Sequence, residues 1–189
     1  MLAYVFWHWP EDGAGADGYE TSLKRFHRAL ADHAPEGFIA SAAFRIAGAP
    51  WVCARESAYE DWYLAGDFCA LGSLNEAAAS VPRTDAHGEV AAKAGGGTDS
   101  VYRSDVADAG TLAAARHAVW LSKPQGMTSP QFMTALAPWM PQPGAILWQR
   151  QMAPGPASEF CLQTADPHEL PAEFTPVNLE LTPVEAGKR

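Results

Sequence analysis

The chain has 189 residues, of which 48% are hydrophobic and 11% are aromatic, and its formal net charge is −9. This length suits one large domain or two small ones, and the apolar fraction is sufficient for a packed core, which excludes global disorder. Its 13 Lys and Arg residues are scattered among 22 Asp and Glu residues, so the composition argues against binding to nucleic-acid phosphates, which requires clustered cations.

The first predicted element is a strand over residues 2–9, which contains most of the aromatic run "YVFWHWP" and ends at Pro10. No basic residue precedes this run and two acids follow it, so it does not resemble a secretory leader. The longer apolar stretch at 119–140 is interrupted by Lys123 and Pro138, among others, and falls short of the roughly 20 apolar residues of a membrane helix. We therefore expect a cytoplasmic protein without a membrane partner.

An amphipathic helix is predicted next. Tyr19, Leu23, Phe26 and Leu30 recur every three or four residues, which is typical of one buried helix face. The elements predicted after it are, in chain order, a strand at 38–48, a strand at 59–68, a helix at 69–80 extended by residues 84–94, a glycine-rich turn at 95–100 and a short strand over 100–105.

The same order of elements begins again after residue 110. A strand at 115–124 ends in a proline as the first strand does, and Ser129 followed by Pro130 marks the start of a helix at 129–140. The remaining elements are strands at 143–152 and 158–167, a short helix at 167–174 and a last strand at 177–184. Each half thus has the order β-α-β-β-α-β, the ferredoxin-like unit. We predict an α+β chain of two fused halves, residues 1–110 and 111–189.

This order of elements resembles the dimeric α+β barrel superfamily, with both halves fused in one chain. The superfamily includes small cofactor-free monooxygenases, polyketide cyclases, lactone isomerases and the haem proteins related to chlorite dismutase. The resemblance covers about residues 2–184 and implies two four-stranded antiparallel sheets that close face to face as one α+β barrel, with a ligand cavity inside. Strands 2–9 and 116–122 are then expected in different sheets of the same chain. No second subunit is needed, although homo-oligomers can form through outer surfaces.

Alternation along the strands predicts which side chains line that cavity. Tyr4, Phe6 and His8 share one face of the first strand, and the matching strand of the second half offers Trp120. We expect this face to be interior and the face of Trp7 to pack under helices. On the other strands the expected interior side chains are Ser41, Arg45, Glu60, Trp62, Trp148, Arg150 and Cys161.

Two sets of site residues follow from this expectation. His8 is the leading candidate for proton transfer, because histidine titrates near neutrality and a carboxylate such as Glu60 can tune it. The arginines are expected to hold a carboxylate or to stabilise a developing enolate or phenolate. The predicted catalytic set is His8, Glu60 and Arg150, and the predicted substrate-binding set is Tyr4, Phe6, Arg45, Trp62, Trp120 and Trp148. The structural alternative is a hydrogen-bonded rim histidine and arginines that pair with acids.

The motif "GAGADG" at 13–18 matches G-x-G-x-x-G and lies between a strand and a helix. The acids around it would repel a pyrophosphate, which this motif binds through bare amides and a helix dipole. We interpret it as a flexible turn.

The cysteines and helical histidines do not indicate a metal site. Cys53, Cys69 and Cys161 lack C-x-x-C spacing, which favours reduced thiols over a disulfide or zinc site. His27 and His33 lie six residues apart on the first helix, not at the i, i+4 spacing of helical ligands, and we interpret both as structural or solvent-facing. No H-E-x-x-H motif occurs, so no metal is expected.

Three functions remain open. The seven tryptophans and the few polar groups among them favour an enzyme that acts on a hydrophobic or aromatic small molecule by acid–base chemistry without a tightly bound cofactor. Such an enzyme would be a cyclase, an isomerase or a cofactor-independent monooxygenase. The alternatives are a non-catalytic binding or sensing protein and a haem protein of the same superfamily. The resemblance implies an axial histidine on the second helix of a half, where residues 69–80 offer none, so His168 is the candidate haem ligand.

Overall fold

The computed structural model describes residues 1–13, 15–52, 55, 57–78, 80, 84–141, 143–152 and 155–188, and Cys53 lies outside these ranges. The helices of the described ranges are α1 (Ala16–Asp32), α2 (Phe68–Ala78), α3 (Thr84–Ala91), α4 (Ala109–Ala114) and α5 (Ser129–Leu136). The strands are β1 (Leu2–Pro10), β2 (Phe38–Ile46), β3 (Ala58–Ala65), β4 (Ala94–Arg103), β5 (His117–Leu121), β6 (Ile146–Gln151), β7 (Phe160–Thr164), β8 (Val177–Glu180) and β9 (Thr182–Lys188). The chain is therefore α+β with an antiparallel sheet and few helices, consistent with a ferredoxin-like fold.

The strands of the described ranges form one sheet in the order β8-β5-β7-β6-β4-β1-β3-β2-β9. The expectation that β1 and β5 belong to two separate four-stranded sheets is therefore wrong. The two groups of strands are joined because residues 101–103 of β4 pair directly with residues 149–151 of β6. This pairing satisfies backbone N–H and C=O groups that would otherwise remain open at two sheet edges.

The chain itself joins the two ends of this sheet. β8 pairs with β5 at one end and β9 pairs with β2 at the other, yet only Leu181 separates β8 from β9. The sheet therefore curves, and side chains on its concave face meet across an enclosed core. Trp7 of β1 lies 5.3 Å from Trp120 of β5, and Trp62 of β3 lies 5.1 Å from Trp148 of β6, measured between ring centroids.

The helices α1 and α5 cover the outer, convex face of the sheet. Phe26 and Leu30 of α1 pack in a cluster with Tyr63 of β3, and Phe132 of α5 packs with Phe160 of β7. The apolar spacing that predicts α1 is thus the spacing of its buried face. None of the helices described is both long and apolar enough to span a membrane.

Several elements differ from the prediction: α4 is an additional helix, and the strand predicted at 177–184 is divided into β8 and β9. The turn predicted at 95–100 is part of β4, and its glycines allow aromatic rings of β1 to lie directly on the strand. A Cβ atom on Gly97 would lie 2.3 Å from Phe6 Cζ. The helix predicted at 167–174 is reduced to a 3-10 turn at Ala172–Phe174, because Pro171 cannot donate the backbone hydrogen bond of a helix interior.

Candidate active site

A cavity of about 540 Å³ lies between the outer face of the sheet and the helices α1, α2 and α3. β1, β3 and β4 form its floor, and the helices form its walls. The side chains that line it are mainly aromatic and aliphatic and include Tyr4, Phe6, His8, Tyr19, Leu23, Phe26, Asp61, Tyr63, Leu71, Leu74, His87 and Val90. The volume falls within the range of small-molecule sites, roughly 300–1,000 Å³.

This cavity lies on the opposite side of β1 from the predicted one. Tyr4, Phe6 and His8 are predicted to face the interior of the sheet, but they face the helices, and Trp7 lies inside against Trp120. The prediction placed Phe6 of β1 at the level of Trp120 of β5, but Trp7 is the residue that meets Trp120, so the two strands were aligned one residue out of register. A shift of one residue transfers every side chain of a strand to the other face, so the orientation predicted for β1 is wrong throughout.

Asp61 is the centre of a buried polar cluster on the cavity floor. Its Oδ2 accepts hydrogen bonds from the Tyr63 hydroxyl at 2.8 Å and from His27 Nε2 at 3.2 Å, and His8 Nε2 lies 3.1 Å away. Burial alone would raise the pKa of Asp61, but the charges of His8 and His27 outweigh it and hold the pKa below its usual range. Asp61 is therefore a carboxylate at neutral pH.

His8 connects this carboxylate to α1. Its Nδ1 lies 2.5 Å from the Tyr19 hydroxyl. Burial and the nearby Asp61 raise the pKa of Tyr19, so this hydroxyl keeps its proton. The hydrogen bond is compatible with either tautomer of the ring, and the tautomer with its hydrogen on Nδ1 leaves Nε2 as a free acceptor next to Asp61. Tyr19, His8 and Asp61 thus form a line in which a carboxylate orients a base, the logic of catalytic triads.

Two atoms of the cluster have no hydrogen-bond partner among the described residues. They are His8 Nε2, whose contact with Asp61 falls outside hydrogen-bond geometry, and Asp61 Oδ1. Buried polar atoms are almost always paired in folded proteins. Both residues line the cavity. Asp61 Oδ1 accepts, and His8 Nε2 accepts in the tautomer whose hydrogen is on Nδ1, so the two atoms complement a ligand group that donates, such as a hydroxyl.

The electrostatics of the cavity disfavour an anionic ligand. Among the described residues that line it, none is Lys or Arg. Burial and the neighbouring Asp99 raise the pKa of Tyr4, which shows that the surroundings are apolar and negative. A carboxylate or phosphate would lack its usual cationic partner here, so the cavity favours an uncharged ligand.

Glu60 lies on the concave face of the sheet, away from this cavity. Its Oε2 accepts from Trp7 Nε1 at 2.7 Å and its Oε1 accepts from Trp62 Nε1 at 2.6 Å. Burial raises the pKa of Glu60 to about 7, and the two indole hydrogen bonds offset only part of that rise. The other tryptophans of the predicted site pack in the same core. The structure therefore brings Glu60 together with the predicted tryptophans and separates it from His8.

The two predicted arginines lie outside both the Asp61 cluster and the tryptophan core around Glu60. Arg45 is predicted to face the interior, but it is exposed on the outer face and its Nη1 donates to Glu20 of α1 at 3.3 Å. That prediction is wrong because β2 directs Phe44 into the core instead. Arg150 is half-buried, and its Nη1 donates to the Ala157 carbonyl at 2.7 Å. Arg150 of β6 thus holds the segment that precedes β7, in the half of the sheet that does not line the cavity.

His27 and Ser41 complete the cluster; from the sequence, His27 is interpreted as structural or solvent-facing and Ser41 is expected in the interior of the sheet. His27 is fully buried rather than solvent-facing, and its Nδ1 lies 2.8 Å from Ser41 Oγ. Ser41 therefore faces α1 and not the interior. The helical spacing contained the missing information, because His27 lies four residues after Leu23 on the buried face of α1.

The predicted haem ligand His168 does not fit that role. His168 lies in the loop before the 3-10 turn, and its Nε2 donates to the Trp139 carbonyl. A nitrogen that carries this proton is not a ligand for iron. Within the described ranges, no group of three or more His, Cys, Asp or Glu side chains has the arrangement of a metal site.

Comparisons with known proteins give the fold its context. No family model matches the chain, and no curated protein matches it by sequence. A candidate monooxygenase from Lactobacillus acidophilus NCFM has a similar structure, with a TM-score of 0.60 and 8% identity over 100% of this chain and 96% of that chain. An anthrone oxidase-like protein gives a TM-score of 0.51 and 12% identity over 99% and 92%. A candidate chlorite dismutase gives a TM-score of 0.52 and 15% identity over 98% of this chain and 96% of that chain.

Such low identities concern the fold alone. At that level, the predicted resemblance of this fold to that of monooxygenases and chlorite dismutases is confirmed.

Proposed function

We propose that the protein is a small-molecule enzyme that removes a proton from a hydroxylated aromatic substrate held in the outer cavity, without a tightly bound cofactor. The observation that carries this proposal is the pair of unpartnered buried atoms, His8 Nε2 and Asp61 Oδ1, on residues of an otherwise apolar cavity. Tyr4 and Phe6 offer ring surfaces to the substrate on the same floor. Glu60, Arg150 and the inner tryptophans support the fold in this proposal and do not touch the substrate.

The cavity floor supplies both parts of an acid–base step. A substrate hydroxyl donates to His8 Nε2. Its O–H bond breaks as an N–H bond forms on Nε2, and Asp61 Oδ2, 3.1 Å away, stabilises the imidazolium that results. Hydrogen bonds from the floor stabilise the negative charge that develops on the substrate oxygen. His27 and Tyr63 hold the carboxylate in place during this step.

The resulting phenolate or enolate is the electron-rich species from which isomerisation, ring closure or reaction with O₂ proceeds. The structural neighbours include a candidate monooxygenase and an anthrone oxidase-like protein. As an analogy of fold, they favour oxidation of a fused-ring substrate among these outcomes.

We also propose that residues 1–110 and 111–189 are duplicated ferredoxin-like halves that close into one barrel. The repeated strand order supports this, because β4-β1-β3-β2 in the first half corresponds to β8-β5-β7-β6 in the second. The single residue between β8 and β9 supports closure of the barrel within one chain. Homo-oligomers would then form through outer surfaces without completing the site.

Replacement of His8 tests the reaction. Purified protein is incubated in air with a panel of naphthols and anthrones, and products are followed by absorbance and mass spectrometry. We expect His8→Ala to lower the turnover number on the order of a hundredfold, the usual contribution of a positioned acid–base group. His117→Ala removes a histidine of β5 that does not line the cavity and should leave turnover unchanged.

Equal turnover in the wild type and His8→Ala would contradict the site. A compound that raises the melting temperature but is recovered unaltered would identify a binding protein instead.

The location of the site is tested by two neighbouring alanines at the end of α3. Ala91 lines the cavity and is exposed at its mouth, whereas Ala92 is exposed but does not line it. Ala91→Trp places an indole across the opening, so we expect the dissociation constant of a bound naphthol to rise about tenfold or more. Ala92→Trp should change it little. Fluorescence titration measures both, and equal effects would place the ligand elsewhere.

A further inference from the structure

The concave face of the sheet carries a continuous cluster of aromatic rings that the acid–base site does not use. Half-buried Trp51 contacts Trp120 at 5.2 Å and Trp7 at 5.9 Å between ring centroids. Trp7 contacts Tyr102 at 6.3 Å, and Tyr102 contacts Trp62 at 6.1 Å. The contacts therefore lead without a gap from a partly exposed ring to fully buried ones.

Glu60 lies between two of these rings and accepts a hydrogen bond from each. Its two oxygens bind the indole N–H groups of Trp7 and Trp62, one apiece. Indole is a very weak acid until its ring loses an electron, after which the N–H proton is readily released. Glu60 is positioned to take that proton from either ring.

We propose that this cluster is a one-electron relay. It transfers a one-electron oxidation from the protein surface to tryptophans in the core. An oxygen-centred radical or an oxidant of similar strength removes one electron from Trp51, and the electron deficiency moves through the ring contacts to Trp7 or Trp62. One indole N–H bond then breaks and one O–H bond forms on Glu60. The products are the reduced oxidant, a neutral tryptophanyl radical and a neutral carboxylic acid.

The structural role of Glu60, as the acceptor for two buried indoles, does not require a charge. Burial raises the pKa of Glu60 to about 7, so its ionised form disfavours the folded state at neutral pH. A neutral acceptor such as glutamine would avoid that penalty at the loss of one indole hydrogen bond. A group that is unfavourable for folding but well placed for proton transfer indicates chemistry.

Photochemical oxidation tests the relay independently of any substrate turnover. A flash-generated ruthenium(III) tris-bipyridine complex oxidises the purified protein, and transient absorption with electron paramagnetic resonance identifies the radical. We expect a long-lived neutral tryptophanyl radical whose yield rises as the pH passes about 7, where Glu60 becomes ionised. Trp51→Phe should lower this yield severalfold. Trp139→Phe is the matched control, because it removes an exposed tryptophan outside the cluster.

Glu60→Gln distinguishes the proton step from the electron step. With no carboxylate to accept the proton, the radical should appear as the cation rather than the neutral species. Should this variant fail to fold, the double variant Trp7→Phe/Trp62→Phe must abolish the long-lived neutral radical. The relay is overturned if Trp51→Phe and Trp139→Phe lower the yield equally, or if the neutral radical persists without Glu60. Loss of turnover in His8→Ala has no bearing on either result.

Discussion

Asp61→Ala is expected to lower the free energy of unfolding by about 3–5 kcal/mol, the loss that follows when one partner of a buried charged cluster is removed. The change leaves His27 and Tyr63 buried without their common acceptor and His8 without its charged neighbour. Each such unsatisfied group costs about 1–3 kcal/mol. Urea denaturation at neutral pH measures the loss.

Two controls separate the charge from the packing at this position. Asp61→Asn keeps the volume and one acceptor oxygen, so it should destabilise less than alanine while still removing the charge that stabilises protonated His8. Asp99→Ala removes an exposed carboxylate near the same cavity and should change stability by no more than about 0.5 kcal/mol. If Asp61→Ala and Asp99→Ala have the same effect, the cluster does not stabilise the floor as described.

Glu60 is expected to make stability fall as the pH rises from about 4.5 to about 7. Its ordinary pKa is 4.5 and its pKa in the folded protein is about 7. Between these values the unfolded chain releases the proton and the folded chain keeps it. The contribution of Glu60 is therefore fully present below pH 4.5 and lost as the pH approaches 7. At about 1.4 kcal/mol per pKa unit, the total is about 3 kcal/mol.

The comparison with Glu60→Gln isolates this contribution from all other titrating groups. The variant loses one indole hydrogen bond, because its amide nitrogen is not an acceptor, but this loss does not depend on pH. The difference between the two stability curves should therefore change by about 3 kcal/mol between pH 4 and 8. Parallel curves across this range would show that the pKa of Glu60 is the same in the folded and the unfolded protein, which would contradict this prediction.

The order of elements could be predicted because local chemistry fixes it. Pro10 ends β1, and the spacing of Tyr19, Leu23 and Phe26 forms the buried stripe of α1. Both depend only on neighbours in the sequence. The glycines before residue 100 were one exception, because they serve close contact with the rings of β1 rather than a turn.

The faces of the strands could not be predicted in the same way. Alternation shows that His8 and Trp7 lie on opposite faces, but the partner strand decides which face is enclosed. In the register between β1 and β3, Trp7 lies opposite Glu60 and Phe6 lies opposite Asp61. Directly opposed residues share a face, so this register gathers the tryptophans on one side and the acid–base cluster on the other. Only the tertiary structure contains that information.

The junction at Leu181 has a consequence for the way the protein is made. β9 pairs with β2, so Ala42 meets Ala186, which the ribosome adds 144 residues later. The free edge of β2 must therefore wait, unpaired, while those residues are made, a period in which it can pair with another chain. Closure of the sheet is thus a non-local event, and we expect nascent chains released before residue 182 to be captured by chaperones.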